Sequence, residues 1–401
     1  MNTIIGELGK SNKFVDLSKN IEKTQSPISI SGLPSVGMAE IISAIKGYNK
    51  KTIILVTYNE IQAKKILENI KTFETENVVL FPKKEIVTYD YVAESKDLPY
   101  ERIETLNKIN EKKNLIVVTT IEALMQKLPS KKVLFKNILE FKIGDICNLE
   151  DIKRKLVNLG YSRYDLIEGR GQFSIRGGII DISIDEKTGV RIELWGDEID
   201  SIRNFSINSQ RSINTLEKAK IYPANEYVLE DSIENICKKI SKTIAEGKKE
   251  KIIEQDLEQI KAGNYISKID KYFNEFYTEQ ETIVDYLNKD GIIFLDEINK
   301  IEQRQINILQ DIENLSKNLI EKEKIIPEAL NAMATIDFEI LENKNKLIYL
   351  EKQDAVTKKQ AERYHFEYRE INYYKSEIEN FFEDIKKWNK EKKSIYVMVE
   401  T

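Results

Sequence analysis

The sequence predicts an α/β protein: a parallel sheet covered by helices, interrupted by a small α+β domain and followed by long helices. Three observations carry that expectation. In the first third, short and fully apolar runs alternate with helical periods, the mark of a parallel sheet buried on both faces. In the middle, strand patterns follow one another with no helix between them. In the last third, apolar residues recur at heptad-like spacing along two charged stretches. With 401 residues the chain exceeds a single compact core and divides into several domains. The expected division is 1–129 and 223–401 for two parts of the α/β domain, 130–222 for the inserted α+β domain, and a long helical hairpin over about 300–390.

The elements follow in order. Residues 26–31 read as a short strand, followed by a glycine loop and a helix to about Tyr48. A buried strand at 53–56 leads into an amphipathic helix, and 77–81 is another strand. The strand at 115–118 runs into a helix that Thr119 or Thr120 is placed to cap. In the middle, Ile180, Ile182 and Ile184 alternate with Asp181 and Ser183, then Val190, Ile192 and Leu194 with Arg191, Glu193 and Trp195. Turns at "DEKTG" and Gly196-Asp197 make this an antiparallel meander with one buried and one wet face. Residues 291–297, "GIIFLDE", form a further apolar strand. Ile308, Ile312, Leu315 and Leu319 then form one narrow seam, and Ile371, Tyr374, Ile378, Phe381, Ile385 and Trp388 a second, with Pro327 between them. The two seams read as a helical hairpin, with an intermolecular coiled coil as the alternative. The stretch from Met333 to Val356 is ambiguous between a short strand and a hairpin, and 394–401 reads as a strand that either completes the first sheet or leads into further chain.

Bulk properties exclude several classes. The composition, 41% hydrophobic and 32% charged, is that of a soluble protein, and no apolar run approaches the length of a membrane span. The opening "MNTIIGELGKSNKF" lacks the apolar core of a signal peptide. Two cysteines, Cys147 and Cys237, and one histidine, His365, predict a reducing cytoplasm and argue against a zinc site or a disulfide scaffold. His365, between Tyr364 and Phe366, reads as a packed ring and not as a ligand. A net charge of −5 argues against strong contact with nucleic acid, although local basic patches remain open.

The chemistry-bearing stretch is "ISGLPSVGMAEII". Gly32 and Gly37 stand five residues apart between a strand and a helix, the outline of a phosphate-binding loop. A working loop places lysine and a Ser/Thr hydroxyl after the second glycine, to neutralise phosphate and to hold Mg²⁺. Here those positions are Met38 and Ala39, and Pro34 removes one backbone donor from the cradle. Downstream, "IIFLDE" places Asp296 and Glu297 as an apolar strand ending in two acids does in a Walker B motif. Together they predict a degenerate phosphate-loop NTPase sheet with no catalytic residue.

With the arginine-rich meander between these motifs, the chain resembles the UvrB-homology module of bacterial transcription-repair coupling factors (Mfd), itself similar to UvrB of nucleotide excision repair. "GYSRYDLIEGRGQFSIRGGIIDI", "VRIELWGDEIDSIRNFSINSQRS", "LPYERIETLNKI", "ETIVDYLNKDGIIFLDE" and "IYPANEYVL" carry the resemblance, over about residues 25–300. The lost phosphate loop separates the chain from UvrB itself. So does the stretch around Tyr89, Tyr91 and Tyr100, which has no room for a DNA-clamping hairpin.

The resemblance implies that the degenerate sheet is RecA/helicase-like, and that the module is an adaptor that recruits UvrA in transcription-coupled repair and hydrolyses no ATP of its own. ATP, Mg²⁺, RNA polymerase and double-stranded DNA would belong to other parts of a longer protein, of which these residues look like a fragment. A contact that masks the UvrA surface, made by a C-terminal domain, is also implied; a membrane is not. Carried over by motif, the UvrA-binding arginines are Arg163, Arg170 and Arg176, while a further arginine of the UvrB pattern falls at Ser174. Arginine suits such docking because its planar fork binds carboxylates bidentately. Phe173 and Trp195 are the expected apolar anchors beside them. The same arginines could instead pair locally with Asp165, Glu168 or Glu193, and Arg191 and Arg203 could belong either to the patch or only to the sheet. The alternatives in function are a UvrB-type ATP-dependent DNA helicase subunit and a non-catalytic DNA-binding module.

Overall fold

Runs of isoleucine, valine and leucine form the central strands, because branched side chains pack well on a pleated surface that is covered on both sides. The computed structural model describes residues 3–23, 27–84, 98–111, 114–136, 138–242, 250–262, 266–322, 333–352, 361–368, 374 and 378–395. Tyr89, Tyr91, Pro327, Ile371 and most of the strand expected over 394–401 lie outside them. In chain order the first elements are α1 (Asn12–Lys23), β1 (Ile28–Ser31), α2 (Ser35–Asn49), β2 (Ile53–Thr57), α3 (Glu60–Lys71), β3 (Val78–Phe81), α4 (Leu98–Asn110) and β4 (Ile116–Thr120). The middle adds β5 (Leu139–Lys142), α5 (Leu149–Asn158), β6 (Ser162–Arg163), β7 (Gln172–Arg176), β8 (Ile179–Ser183), β9 (Thr188–Trp195), β10 (Glu198–Ser206), β11 (Ser212–Leu216) and β12 (Lys218–Ile221). The last part adds β13 (Ile292–Asp296), α6 (Ile298–Glu321), α7 (Phe338–Lys344), β14 (Lys346–Glu351), β15 (Glu362–His365) and α8 (Ile378–Lys390).

Seven parallel strands build the large sheet, in the order β15-β1-β14-β13-β2-β4-β3. Alternate residues serve opposite faces. Ile53, Leu55, Ile292, Phe294 and Ile348 pack with α1, α2 and α3, while Ile54, Val56, Ile293, Leu295 and Leu347 pack with α4, α6 and α7. Thr120 takes the expected capping role, its hydroxyl accepting from the Ala123 amide at 3.2 Å. The ambiguous stretch after Met333 holds α7 and β14, and β14 is an interior strand between β1 and β13. On its other side β1 pairs with β15. No described helix is long and apolar enough to cross a membrane.

Between β4 and β13 the chain builds a second sheet of six strands, β11-β10-β9-β8-β7-β6. Antiparallel pairing of β5 with β12 brings its two ends together. One face of this sheet is dry as expected, with Phe173, Ile180, Ile182, Val190, Ile192 and Ile202 packed with α5. The other face departs from the wet one that was expected, since Asp181 and Ser183 are buried. The connection from β6 to β7 folds over it, placing Ile167 against Phe205 and Ile207 and giving the Asp165 carbonyl to the Ser174 hydroxyl at 2.8 Å. Ile184 lies past the end of β8 and is exposed.

The seam on α6 goes elsewhere than into a hairpin. Ile308 joins the core on the α4 side of the large sheet, and Leu319 joins a helical cluster around Ile236, Ile240, Phe273 and Phe276. The described residues of the second seam lie on or beside α8, which buries no side chain.

Arg102 on α4 ties these parts together. It is fully buried, pairs with Glu226 at 2.9 Å, donates to the Pro82 carbonyl and to Gln126, and lies 4.2 Å from the Phe81 ring centre. One side chain thus joins the end of β3, the helix after β4, and the segment leaving the six-stranded domain. Arg102→Met would strand the buried Glu226 carboxylate, so urea unfolding should show a loss of roughly 3–5 kcal/mol. A variant that unfolds at the wild-type midpoint would contradict this role.

Candidate functional site

The first candidate site lies at the carboxyl ends of the parallel strands, where ligands bind in open α/β sheets. Gly32 leaves β1 at φ +77°, a conformation that L side chains rarely adopt. Only Gly32, Leu33 and Pro34 separate β1 from α2, which begins at Ser35. Gly37 is therefore already helical, and no wrap of backbone amides forms between the two glycines. Met38 and Ala39 turn into the core under the sheet, each almost wholly buried.

The mouth of this loop is filled by the chain itself. A Cβ on Gly32 would lie 2.1 Å from the Phe366 carbonyl oxygen, and one on Gly37 would lie 2.8 Å from the Tyr368 ring. The Phe366 amide donates to the Ser31 carbonyl at 2.9 Å, and the Tyr368 hydroxyl donates to Glu40 at 2.9 Å. Lys13 donates to the His365 carbonyl at 2.8 Å, and the Ser31 hydroxyl lies 3.1 Å from His365 Nδ1. His365 is thus an exposed strand residue, while Tyr364 and Phe366 are the packed rings. Burial pushes the Glu40 carboxyl above its ordinary value, with the Tyr368 hydrogen bond opposing.

Asp296 ends β13 and is separated from β1 by β14, so the acid and the loop stand two strand spacings apart, about 10 Å. Asp296 is fully buried. Its Oδ2 accepts from the Thr57 hydroxyl at 2.8 Å and from Gln62 at 3.0 Å, while Oδ1 has no partner. Burial pushes this carboxyl up, against both hydrogen bonds. Glu297 follows at φ +60° as the first residue of the turn into α6. It pairs with Lys300 at 2.9 Å and Lys352 at 2.8 Å. Burial raises the Glu297 carboxyl, but these two lysines outweigh it and hold it below the usual range.

The second candidate site is the arginine-bearing sheet. Asp181, opposite Arg191 in the register, is its hub. Arg191 donates to both carboxylate oxygens at 2.7 and 2.9 Å, and Arg176 adds a third bond at 2.7 Å. The Arg191 guanidinium also stacks 4.6 Å above the Phe205 ring. Arg203 pairs with Glu193. Local pairing thus takes Arg176, Arg191 and Arg203, mostly through Asp181, an acceptor that the sequence reading did not name. The signal was present: an acid between two isoleucines in a strand, facing arginines on both neighbours.

The remaining expected residues divide. Arg163 is exposed on the edge strand β6 and has no ion pair among the described residues. Arg176 keeps nearly half of its side chain exposed despite its bond. Trp195, past a bulge in β9, is 84% exposed, and Ile146, bridged to Glu198, is 74% exposed beside the same turn. Two expectations fail. Phe173 is fully buried with Ile180 and Ile182 and cannot anchor a partner, because alternation along β7 turns it away from Arg176. Arg170 points into a cleft against α4, 3.5 Å from Glu104, next to the place where Gly171 admits the Tyr100 ring.

Comparison with known proteins bears on both sites. Residues 139–227 match the family model of the UvrB interaction domain, a span that holds Asp181, Trp195 and the β5–β12 pairing. The chain is similar to the transcription-repair-coupling factor of Bacillus subtilis (strain 168), 27% identical over 87% of this chain and 31% of that protein. It is similar to the same factor of Staphylococcus aureus (strain bovine RF122 / ET3-1), 29% identical over 80% of this chain and 28% of the relative. The factor of Staphylococcus haemolyticus (strain JCSC1435) is 29% identical over 73% of this chain and 26% of its own length. The chain therefore spans less than a third of the length of the curated relatives it matches. Its homologues are transcription-repair-coupling factors, and it carries a UvrB interaction domain.

The Asp296 geometry has a pH consequence. Its folded value is raised, so the ionised form costs stability as pH climbs from the ordinary 3.8 through that higher value, and the cost then stays constant. Asp296→Asn carries no such charge. Urea unfolding across this range should show the variant gaining on the wild type as pH rises and keeping the advantage at neutral pH. A variant that loses ground instead would contradict the account of a strained buried carboxylate.

Proposed function

We propose that this chain, a homologue of transcription-repair-coupling factors with a UvrB interaction domain, is an adaptor module that recruits UvrA in transcription-coupled nucleotide excision repair and hydrolyses no ATP itself. The observation that carries the adaptor reading is that Arg163, with no ion pair among the described residues, Arg176 and Trp195 are all exposed on the six-stranded sheet. Interface hot spots combine guanidinium groups with large aromatic rings, and rigid strands lower the entropy lost on docking. Acidic side chains on the partner are the complement to the two arginines.

The absence of catalysis is supported by four features of the first site. Met38 and Ala39 supply neither an ammonium nor a hydroxyl to phosphate. The helix begins too early for a cradle of amides. Phe366 and Tyr368 occupy the mouth. Glu297, the acid that would polarise water, is neutralised by two lysines. The residues present therefore do not fit Mg-ATP, and the sheet is read as a scaffold for the inserted domain. In this reading ATP, RNA polymerase and double-stranded DNA engage other parts of a longer protein, the UvrA surface is open to masking by another domain of that protein, and the whole works in the bacterial cytoplasm.

Two experiments test the reading. Arg163→Glu and Trp195→Ala remove exposed groups with few intramolecular bonds, so both should fold normally and each should weaken binding to purified UvrA by tenfold or more, as loss of a hot spot of about 2 kcal/mol does. Wild-type affinity in both would remove the site. Calorimetry of the chain with Mg-ATP should give no heat of binding; saturable binding would favour the helicase alternative.

A further inference from the structure

At the opposite edge of the large sheet, the amino ends of β2, β13 and β14 open onto a cavity of about 380 Å³. Five lysines and three acids line it, an excess of two positive charges in a chain whose net charge is −5. Part of that excess has a local cause. Lys23 and Lys344 lie in the last turns of α1 and α7, where ammonium groups complement helix carbonyls. Lys346, which begins β14, has no such role, while Lys51 follows the C-cap of α2 and precedes β2.

Lys346 is the anomaly. Its Nζ is shut off from solvent and has no hydrogen-bond partner among the described residues. Burial and the neighbouring Lys51 ammonium both push its pKa down, and the Glu362 carboxylate attracts it without bonding to it. Two of the acids in the cavity are engaged elsewhere: Glu22 accepts from Asn49 at 3.3 Å, and Glu342 accepts from the Tyr349 hydroxyl. A desolvated ammonium with unused donors is costly to keep unless an acceptor completes it. A phosphate group is such an acceptor, because its oxygens only accept and its charge suits two ammonium groups at once.

We propose that this cavity is a phosphate-binding site in which Lys51 holds the oxyanion together with Lys346, whose flexible side chain turns its solvent-excluded ammonium into the cavity on binding. It lies on the sheet edge away from Gly32 and Asp296 and is unrelated to the filled loop. The bound phosphate belongs either to a small phosphorylated molecule or to a nucleic-acid backbone that runs across Lys51 and Lys289.

Titration calorimetry in phosphate-free, low-salt buffer, with sodium pyrophosphate in one arm and a short DNA duplex in the other, tests this. The wild type should bind at least one probe, and Lys346→Met and Lys51→Gln should each weaken that binding by about tenfold, the loss expected for one charge-assisted bond. Binding of pyrophosphate assigns the small-molecule source, and binding of the duplex alone assigns the backbone. Thermal unfolding adds a readout that does not depend on affinity. Lys346→Met should melt no lower than the wild type without ligand, because it removes an unpaired buried charge, and should lose the upward shift that the probe gives the wild type. No binding of either probe by the wild type, or equal binding by both variants, would overturn the proposal.

Discussion

The approach of Phe366 and Tyr368 to Gly32 and Gly37 is the constraint from which the character of the first site follows. It depends on β15 pairing with β1, which delivers residues 366–368 across the end of the strand. Without a side chain at Gly32 the Phe366 carbonyl comes in where a Cβ would be. The space above the Gly32–Gly37 loop is thus filled by backbone and aromatic ring, which extends the core beside α2. The same contact explains why methionine and alanine suit positions 38 and 39. Both face a packed interior, where a lysine would be a buried charge needing a partner.

The two acids at the end of β13 both serve as internal hydrogen-bond acceptors. Asp296 is a joint between β13, β2 and α3 through Thr57 and Gln62, and Glu297 a joint between α6 and the end of β14 through Lys300 and Lys352. The inserted domain handles charge differently. Asp181 collects two guanidinium groups in a buried network, which fixes the register of β7, β8 and β9. Arg163 and Trp195 are left outside it and exposed. In the proposed adaptor reading, groups held on a sheet before a partner arrives lose less entropy on docking.

Buried ion pairs and the packing of Tyr100 against the six-stranded domain link the parts of the chain around the large sheet. Arg102 with Glu226, and Lys84 with Asp270 beneath the Tyr227 ring, gather around the ends of β3 and β4. Gly171 admits Tyr100 between α4 and the six-stranded domain. Such contacts are specific in geometry, since each buried charge tolerates only its own partner.

The sequence by itself determined the α/β class, the apolar strands expected at 53–56 and 115–118, a cap at Thr119 or Thr120, the meander, and the loss of lysine and hydroxyl after Gly37. These rest on periodicity and residue type, which act within a few neighbours along the chain. It left β14 open between a short strand and a hairpin, although Leu347–Leu350 is a continuous apolar run between Lys346 and Glu351, and it gave no sign of β15, whose Glu362–His365 residues are mostly polar because it is an edge strand. Tertiary structure alone decided that residues 366–368 would close the loop, that Phe173 would be core and Trp195 surface, that Asp181 would neutralise the arginines, and that α6 would divide its seam between two cores. Each of those outcomes depends on which residues meet across more distant parts of the fold, and a linear pattern carries no record of the partner that occupies the opposite position.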